Sequence, residues 1–405
     1  MNTPSSQRHV RKTSQRRLWF LLHGWFSLPV WLLFCFVCVT GTIAVVSHEI
    51  TWLVNPAARA ANPDKLPRKP LHELVATAQQ AVPGSEPGFV MVLEPYLVTA
   101  ISVPSKEKPF AVAYVNPYTA KVQAVEEGIT FVAFMRSLHG WLLFPWQHNW
   151  SVGYYFVAAM SIVVLGALVT GLVVYKRFWR AFTQPRLRFG RDARTVLGDL
   201  HRLAGVWSLW FLLIMGLTGF WYLTQAILWH NDIDVDDEVA AIAASTVPLS
   251  KSGSTPTHMP LVQALQAAQL ALPQMQPSWI AMPEHNLDYY TIAGSDGSIL
   301  FDDYSLRAFV NPWSGEVVTH TPADMNVLQV IAHIADPLHY GTFGGLVTKL
   351  IWFVFGLVLS SMSITGFLIW GKRTVKAARG ARAASGKSIA GIKVDALSSA
   401  EGVVS

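Results

Sequence analysis

The sequence predicts an integral membrane protein, mainly α, with four transmembrane helices and two α+β domains outside the membrane, the whole internally duplicated. Three observations predict it. Of the 405 residues, 52% are hydrophobic and only 14% charged, where soluble domains carry about a quarter charged residues, and the mean hydropathy is +0.33. Four apolar runs, at about 19–46, 151–174, 203–228 and 350–371, reach the roughly 20 residues that a helix needs to cross a bilayer. The chain also repeats itself: "PLHELVATAQQAVPGSEPGFV" at 70–90 runs alongside "PLVQALQAAQLALPQMQPSWI" at 260–280, with Pro70, Pro83 and Pro87 matching Pro260, Pro273 and Pro277. "VNPYTAKV" at 115–122 likewise matches "VNPWSGEV" at 310–317.

Residues 1–17 form a basic tail with Arg8, Arg11, Lys12, Arg16 and Arg17, and 18–50 the first transmembrane helix. Its apolar run exceeds the 7–15 residues of a signal-peptide core, so it is read as a retained anchor. Cys35 and Cys38 lie inside it and are read as packing or lipid-facing thiols. Residues 51–135 form the first exterior domain, with a helix over 71–82 ended by Pro83 and alternating strand-like runs such as "FVMVL", "LVTAISV" and "FAVAYV". An interfacial lead-in and the second transmembrane helix occupy 136–176, and a basic loop 177–196, with Lys176, Arg177, Arg180, Arg186, Arg188, Arg191 and Arg194 at and within its bounds. The third transmembrane helix covers 197–230. A linker and the second exterior domain fill 231–337, with a helix over 261–272 and the runs "YYTIAG", "ILFDDY" and "RAFV". The Asn-Pro segments predict tight turns between strands in both domains, and their Tyr118 and Trp313 are expected to be exposed. A second lead-in and the fourth helix occupy 338–371, and a tail 372–405 opens with Lys372, Arg373, Lys376, Arg379 and Arg382.

The three basic segments face the cytoplasm by the positive-inside rule, which puts both termini there. The stretch 231–338 has two basic residues, Lys251 and Arg307, against about a dozen acidic ones, and belongs outside with 51–135. The pI of 9.3 therefore reports topology and contact with anionic membrane lipids, and no nucleic-acid partner is expected.

Histidines recur at the head of each span. An ionisable residue there is a functional hypothesis by default, and imidazole serves proton relay, metal ligation or haem ligation. A plain interfacial anchor is the alternative for any one of them. A proton-coupled transporter would need carboxylates within the spans, and the four apolar runs hold none, with Glu49 just past the first of them. A haem held by two histidines needs them on neighbouring helices at one depth, with small residues beside the porphyrin. His23 and Gly41 are 18 residues apart, as are His201 and Gly219; 18 residues is five turns of about 3.6, which predicts a shared face and pairs His23 with His201. His139 lies 11 residues before Trp150 and His339 lies 11 before Leu350, about where the second and fourth apolar runs begin, and they form the second pair. His48 and His230 are further haem ligands or contacts, Arg136 and Arg202 are candidate propionate partners, and His148 and His333 are expected to face solvent. Four Thr-Gly pairs, at Thr40, Thr170, Thr218 and Thr365, are expected to bond back to their own helices.

With "LHGW" at 22–25 and 138–141, "LHRLAG" at 200–205, "LHYGTFGG" at 338–345, the Thr-Gly pairs and the two Asn-Pro turns, the sequence resembles the PepSY-associated transmembrane helix family from about 16 to 375. Within that family it is similar to the inner-membrane ferric-siderophore reductases of the ferrioxamine type. The resemblance implies a multi-pass protein of the bacterial inner membrane with two periplasmic PepSY-like domains. It also implies haem b, two per chain, with His23, His139, His201 and His339 as its axial ligands, and reduction of siderophore-bound ferric iron to Fe(II). No glycine-rich dinucleotide motif follows a strand, so electrons are expected from quinol or from a separate cytoplasmic reductase. A non-enzymatic, membrane-anchored regulator of periplasmic proteases is the alternative function.

Overall fold

Pro29 sets the first departure from a straight span. Helix α1 (Arg17–Phe26) and helix α2 (Trp31–Val45) meet at 62°, because proline has no N–H for the preceding turn and its ring clashes with the carbonyl four residues back. The helix expected over 18–50 is therefore three: α1, α2 and α3 (Ser47–Val54). The structure, a computed structural model, describes residue 15 and residues 17–26, 28–175, 178–235, 239–248 and 257–372. Most of the basic tails, together with Lys176, Arg177 and Lys251, lie outside the described residues.

Helix α4 (Leu71–Ala81) follows Pro70 and buries Leu74, Val75 and Ala78, the i, i+1, i+4 stripe of an amphipathic helix. Strands β1 (Phe89–Met91), β2 (Thr99–Ser102), β3 (Ala111–Val115) and β4 (Val122–Glu127) come next. Helix α5 (Phe131–Trp141) is capped by Thr130, whose side chain accepts from the Ala133 amide, and ends at Leu142 in the left-handed conformation. The lead-in to the second span is thus a helix of its own. After α6 (Val152–Val174) and the short α7 (Phe178–Thr183), helix α8 (Ala193–Trp207) stops at Ser208, and α9 (Leu209–His230) begins. The third apolar span accordingly starts at Leu209, later than the predicted 197.

In the second half, α10 (Leu261–Ala271), β5 (Gln276–Ala281), β6 (Tyr290–Ser295), β7 (Leu306–Val310) and β8 (Val317–His320) repeat the earlier order. "ILFDDY" is not a strand: Ile299 and Leu300 are exposed, and the Asp302 side chain accepts from the Tyr304 amide, closing a turn. Helix α11 (Val327–Tyr340) starts with a capping box between Asn326 and Gln329. It ends at Gly341, whose φ of +72° suits glycine, and α12 (Gly345–Lys372) follows. Helices α6, α9 and α12 are long and apolar enough to cross a membrane; α1 and α2 make a fourth span if the bent pair counts as one.

All eight strands form one antiparallel sheet, in the order β4-β3-β2-β1-β5-β6-β7-β8. The two α+β domains are joined at β1 and β5, where Val90 pairs with Ile280 and Met91 with Trp279. Alternation sends Val90, Ile101, Ala113, Ile280, Ile292 and Ala308 to one face, where α4 and α10 cover them. The Asn-Pro turns form as predicted: Asn116 accepts from the Tyr118 and Thr119 amides, and Asn311 from those of Trp313 and Ser314.

Two compact units divide the chain. One draws on Met1–Val39, Ile162–Gly216 and Phe355–Ser405; the other draws on Thr40–Ser161 and Leu217–Val354 and contains the sheet. Within the second unit, Lys349 of α12 is almost fully buried and pairs with Glu49 of α3 at 3.1 Å and with Glu94. Tyr96 donates to Glu49 at 2.8 Å, and His48 contacts Glu94 at 3.4 Å. Burial alone would raise the Glu94 carboxyl, but His48 and Lys349 hold it well below the usual carboxylate range. Lys349→Ala leaves two carboxylates without their cation, and breaking such a buried pair costs about 3–5 kcal/mol. The expected outcome is a large fall in the thermal midpoint in detergent, and an unchanged midpoint would show that the network is solvated.

Candidate functional site

The four histidines of the span heads come together as two pairs, one in each unit. In the first unit His23 of α1 faces His201 of α8, with ring centres 6.3 Å apart and planes at 79°. In the second, His139 of α5 faces His339 of α11, again at 6.3 Å, with planes at 28°. The structure brings together the same two pairs that the sequence suggested.

Each of these four histidines is held through Nδ1 by the threonine of a Thr-Gly pair. His23 meets Thr170 Oγ1 at 2.9 Å, His201 meets Thr365 at 3.1 Å, His139 meets Thr40 at 3.3 Å and His339 meets Thr218 at 2.8 Å. The expected bond to the threonine's own helix is present as well: Thr170 donates to the Gly166 carbonyl at 2.6 Å, and Thr365 to that of Met362 at 3.1 Å. The bond to histidine is what sequence reasoning missed, and the equal number of histidines and Thr-Gly pairs was the available signal.

The glycines do not serve as the 18-residue spacing suggested. A Cβ at Gly41 would lie 2.6 Å from Cε1 of His139, not beside His23. At Gly171 it would lie 3.4 Å from Cε1 of His23, and at Gly366 3.3 Å from Cε1 of His201. Gly219 packs on Ser161. Counting five turns from His23 to Gly41 assumed one straight helix, and the bend at Pro29 removes that register; the break at Ser208 does the same between His201 and Gly219. The small residues make room for imidazole edges, where a porphyrin resting on backbone was expected.

The other candidates are engaged elsewhere. His48 belongs to the Lys349 network. His230 stacks on Trp150 at 4.9 Å and 8°, with Tyr155 Oη 3.0 Å from its Nδ1. Arg202 bonds to Asp199 at 2.6 Å, and Asp199 also accepts from the backbone and the guanidinium of Arg188. The Arg188 hydrogen bonds hold the Asp199 carboxyl down at about 2. Arg136 is exposed on α5, one turn before His139, and its guanidinium lies over the Tyr340 ring at 5.8 Å. His148 is exposed as expected, whereas His333 is buried and bonds Asp302 at 2.9 Å. Tyr118, expected to be exposed, is buried with its hydroxyl on the Pro95 carbonyl; Trp313 donates to the Asn286 carbonyl. Beside the second pair, Tyr222 sets its ring edge-on to His339 at 5.0 Å and donates to Asp336 at 2.8 Å. Desolvation pushes the Asp336 carboxyl up to about 6.

Two imidazoles bound to one metal ion from opposite sides, each at roughly 2 Å, set their ring centres about 6 Å apart. Both pairs match that spacing. Among the described residues no group of three or more His, Cys, Asp or Glu is placed to hold a metal ion, so a bare cation would find only two imidazoles at each pair. A metal carried in a planar macrocycle needs only the two axial imidazoles, and the residues present fit haem. Comparison with curated proteins yields no significant match. The family model described as the PepSY-associated TM region matches residues 20–373, most of the described chain, and with its apolar helices and repeated histidine heads the chain belongs to that family.

Proposed function

We propose that the chain is a four-span haem b electron-transfer protein of the bacterial inner membrane that reduces ferric siderophore iron to Fe(II) on the periplasmic side. Two haems per chain are held by His23 with His201 and by His139 with His339. The observation that carries the reading is the 6.3 Å separation of ring centres in both pairs, which is the spacing that a shared axial metal requires. The repeated sequence and the sheet order, which reads alike from either edge, support two copies of one electron-carrying unit produced by duplication.

Haem, when bound, supplies reversible one-electron transfer. The chain's own residues orient it. The threonines hold Nδ1 of each ligand, and the glycines admit the imidazoles. Arg136, exposed near His139, is the residue suited to a propionate. Siderophores grip Fe(III) through hard oxygen donors, and one added electron weakens that grip. The substrate therefore needs docking and an electron, without covalent chemistry from the protein. The basic loop at 177–196 suits a cytoplasmic reductase as donor, and quinol is the other source.

The test is optical. Detergent-solubilised protein should give the sharp reduced band of a haem with two imidazole ligands. Under anaerobic conditions ferric ferrioxamine should bleach that band while a ferrous chelator takes up iron. Colourless protein would instead favour a membrane-anchored regulator of periplasmic proteases, and reduced haem indifferent to the ferric complex would remove the siderophore from the proposal.

A further inference from the structure

We propose that Thr40, Thr170, Thr218 and Thr365 are positioning residues, each fixing the tautomer and ring plane of one axial histidine, and that they make the two haem centres electronically unlike. The proposal rests on the haem reading above. An imidazole swings freely about its outer torsion, which is broad and has no staggered minimum to hold it. A partner on Nδ1 is what stops that rotation.

The hydrogen-bond direction follows from the threonines. Thr170 and Thr365 commit their single hydroxyl protons to the Gly166 and Met362 carbonyls, so their oxygens can only accept from histidine. Nδ1 of His23 and His201 therefore carries the proton, and Nε2 keeps the lone pair for a metal. Thr40 and Thr218 make the same Nδ1 contact at 3.3 and 2.8 Å. Back-bonding threonines are ordinary in apolar helices, but that role alone does not bring all four onto a histidine of another segment. A hydroxyl is a weaker acceptor than the carboxylate that often stands behind a metal-bound histidine, so it orients the ring while adding less electron density to it.

The angles then distinguish the centres. The planes of His23 and His201 are crossed at 79°, and those of His139 and His339 lie within 28°. Each axial imidazole donates into the iron d orbital perpendicular to its plane. Crossed planes leave two of those orbitals nearly equal in energy, and near-parallel planes split them. Axial-ligand geometry and its outer hydrogen bonds are thus the levers that set each potential.

Electron paramagnetic resonance of the oxidised, haem-replete protein tests this. Two low-spin signals are expected, one widely spread from the crossed pair and one rhombic from the near-parallel pair. Thr365→Val should shift the signal and midpoint potential of the crossed centre alone, Thr218→Val those of the other alone, and the Thr→Ser variants should match the parent. Haem-replete Val variants with parental signals and potentials would overturn the proposal, as would two identical signals in the parent. If Thr365→Val loses its haem, Thr365→Ser decides: retained haem with the parental signal supports the hydroxyl, and loss in both assigns the effect to packing. A parent without haem would overturn the electron-transfer reading itself, a distinct result.

Discussion

Purified in detergent, the His201→Ala protein is expected to carry about half the haem of the parent, because under the proposed function one of two bis-imidazole sites would lose an axial ligand. The reduced band should fall by the same fraction, and the rhombic signal of the His139 and His339 centre should persist. The expectation is specific because each pair lies within its own compact unit, so removing His201 leaves the His339 contacts with Thr218 and Tyr222 in place. His339→Ala should produce the complementary loss. His230→Ala provides the control: that ring is stacked on Trp150 and bonded to Tyr155, and its removal should leave haem content unchanged. Haem assay by pyridine extraction measures all three. A full six-coordinate complement in His201→Ala would break the assigned pairing, and haem loss in His230→Ala would move a ligand to the span end.

The sequence displayed the four histidines because ionisable residues stand out where apolar ones are expected, and Thr-Gly pairs recur with them. It also displayed α4 and α10, whose starts at Pro70 and Pro260 and buried stripes are local properties. Partner choice was not local. Which threonine meets which histidine depends on packing between segments, and the bend at Pro29 and the break at Ser208 shift every face beyond them. Union of the two α+β domains was hidden for the same reason: strand edges such as β1 and β5 carry no label for the strand that will pair with them. "ILFDDY" alternated like a strand, but Asp302 turned the chain by accepting from the Tyr304 amide. His333 looked like a solvent residue until Asp302, 31 positions earlier, supplied its buried partner.

A graded set of glycine substitutions is expected to separate ligand placement from helix stability. Gly41→Ala should remove the haem of the His139 and His339 pair, since the new Cβ would stand 2.6 Å from Cε1 and 3.1 Å from both ring nitrogens of His139. The ring cannot stay, and moving it breaks the 6.3 Å pairing and stretches the Thr40 bond, already 3.3 Å. Gly366→Ala, at 3.3 Å from Cε1 of His201, should weaken the other site partially, and Gly171→Ala, at 3.4 Å from His23, should leave it nearly intact. In helix interiors alanine is otherwise favoured over glycine by about 1 kcal/mol. General disruption of the fold would therefore show as lower thermal stability, whereas the steric account requires Gly41→Ala to lose haem with little or no loss of apoprotein stability. Haem content and thermal midpoint, measured on all three variants, decide between them. Equal haem loss at Gly171 and Gly41, or a replete Gly41→Ala protein, would mean that the glycines accommodate helix contacts and not the ligand rings.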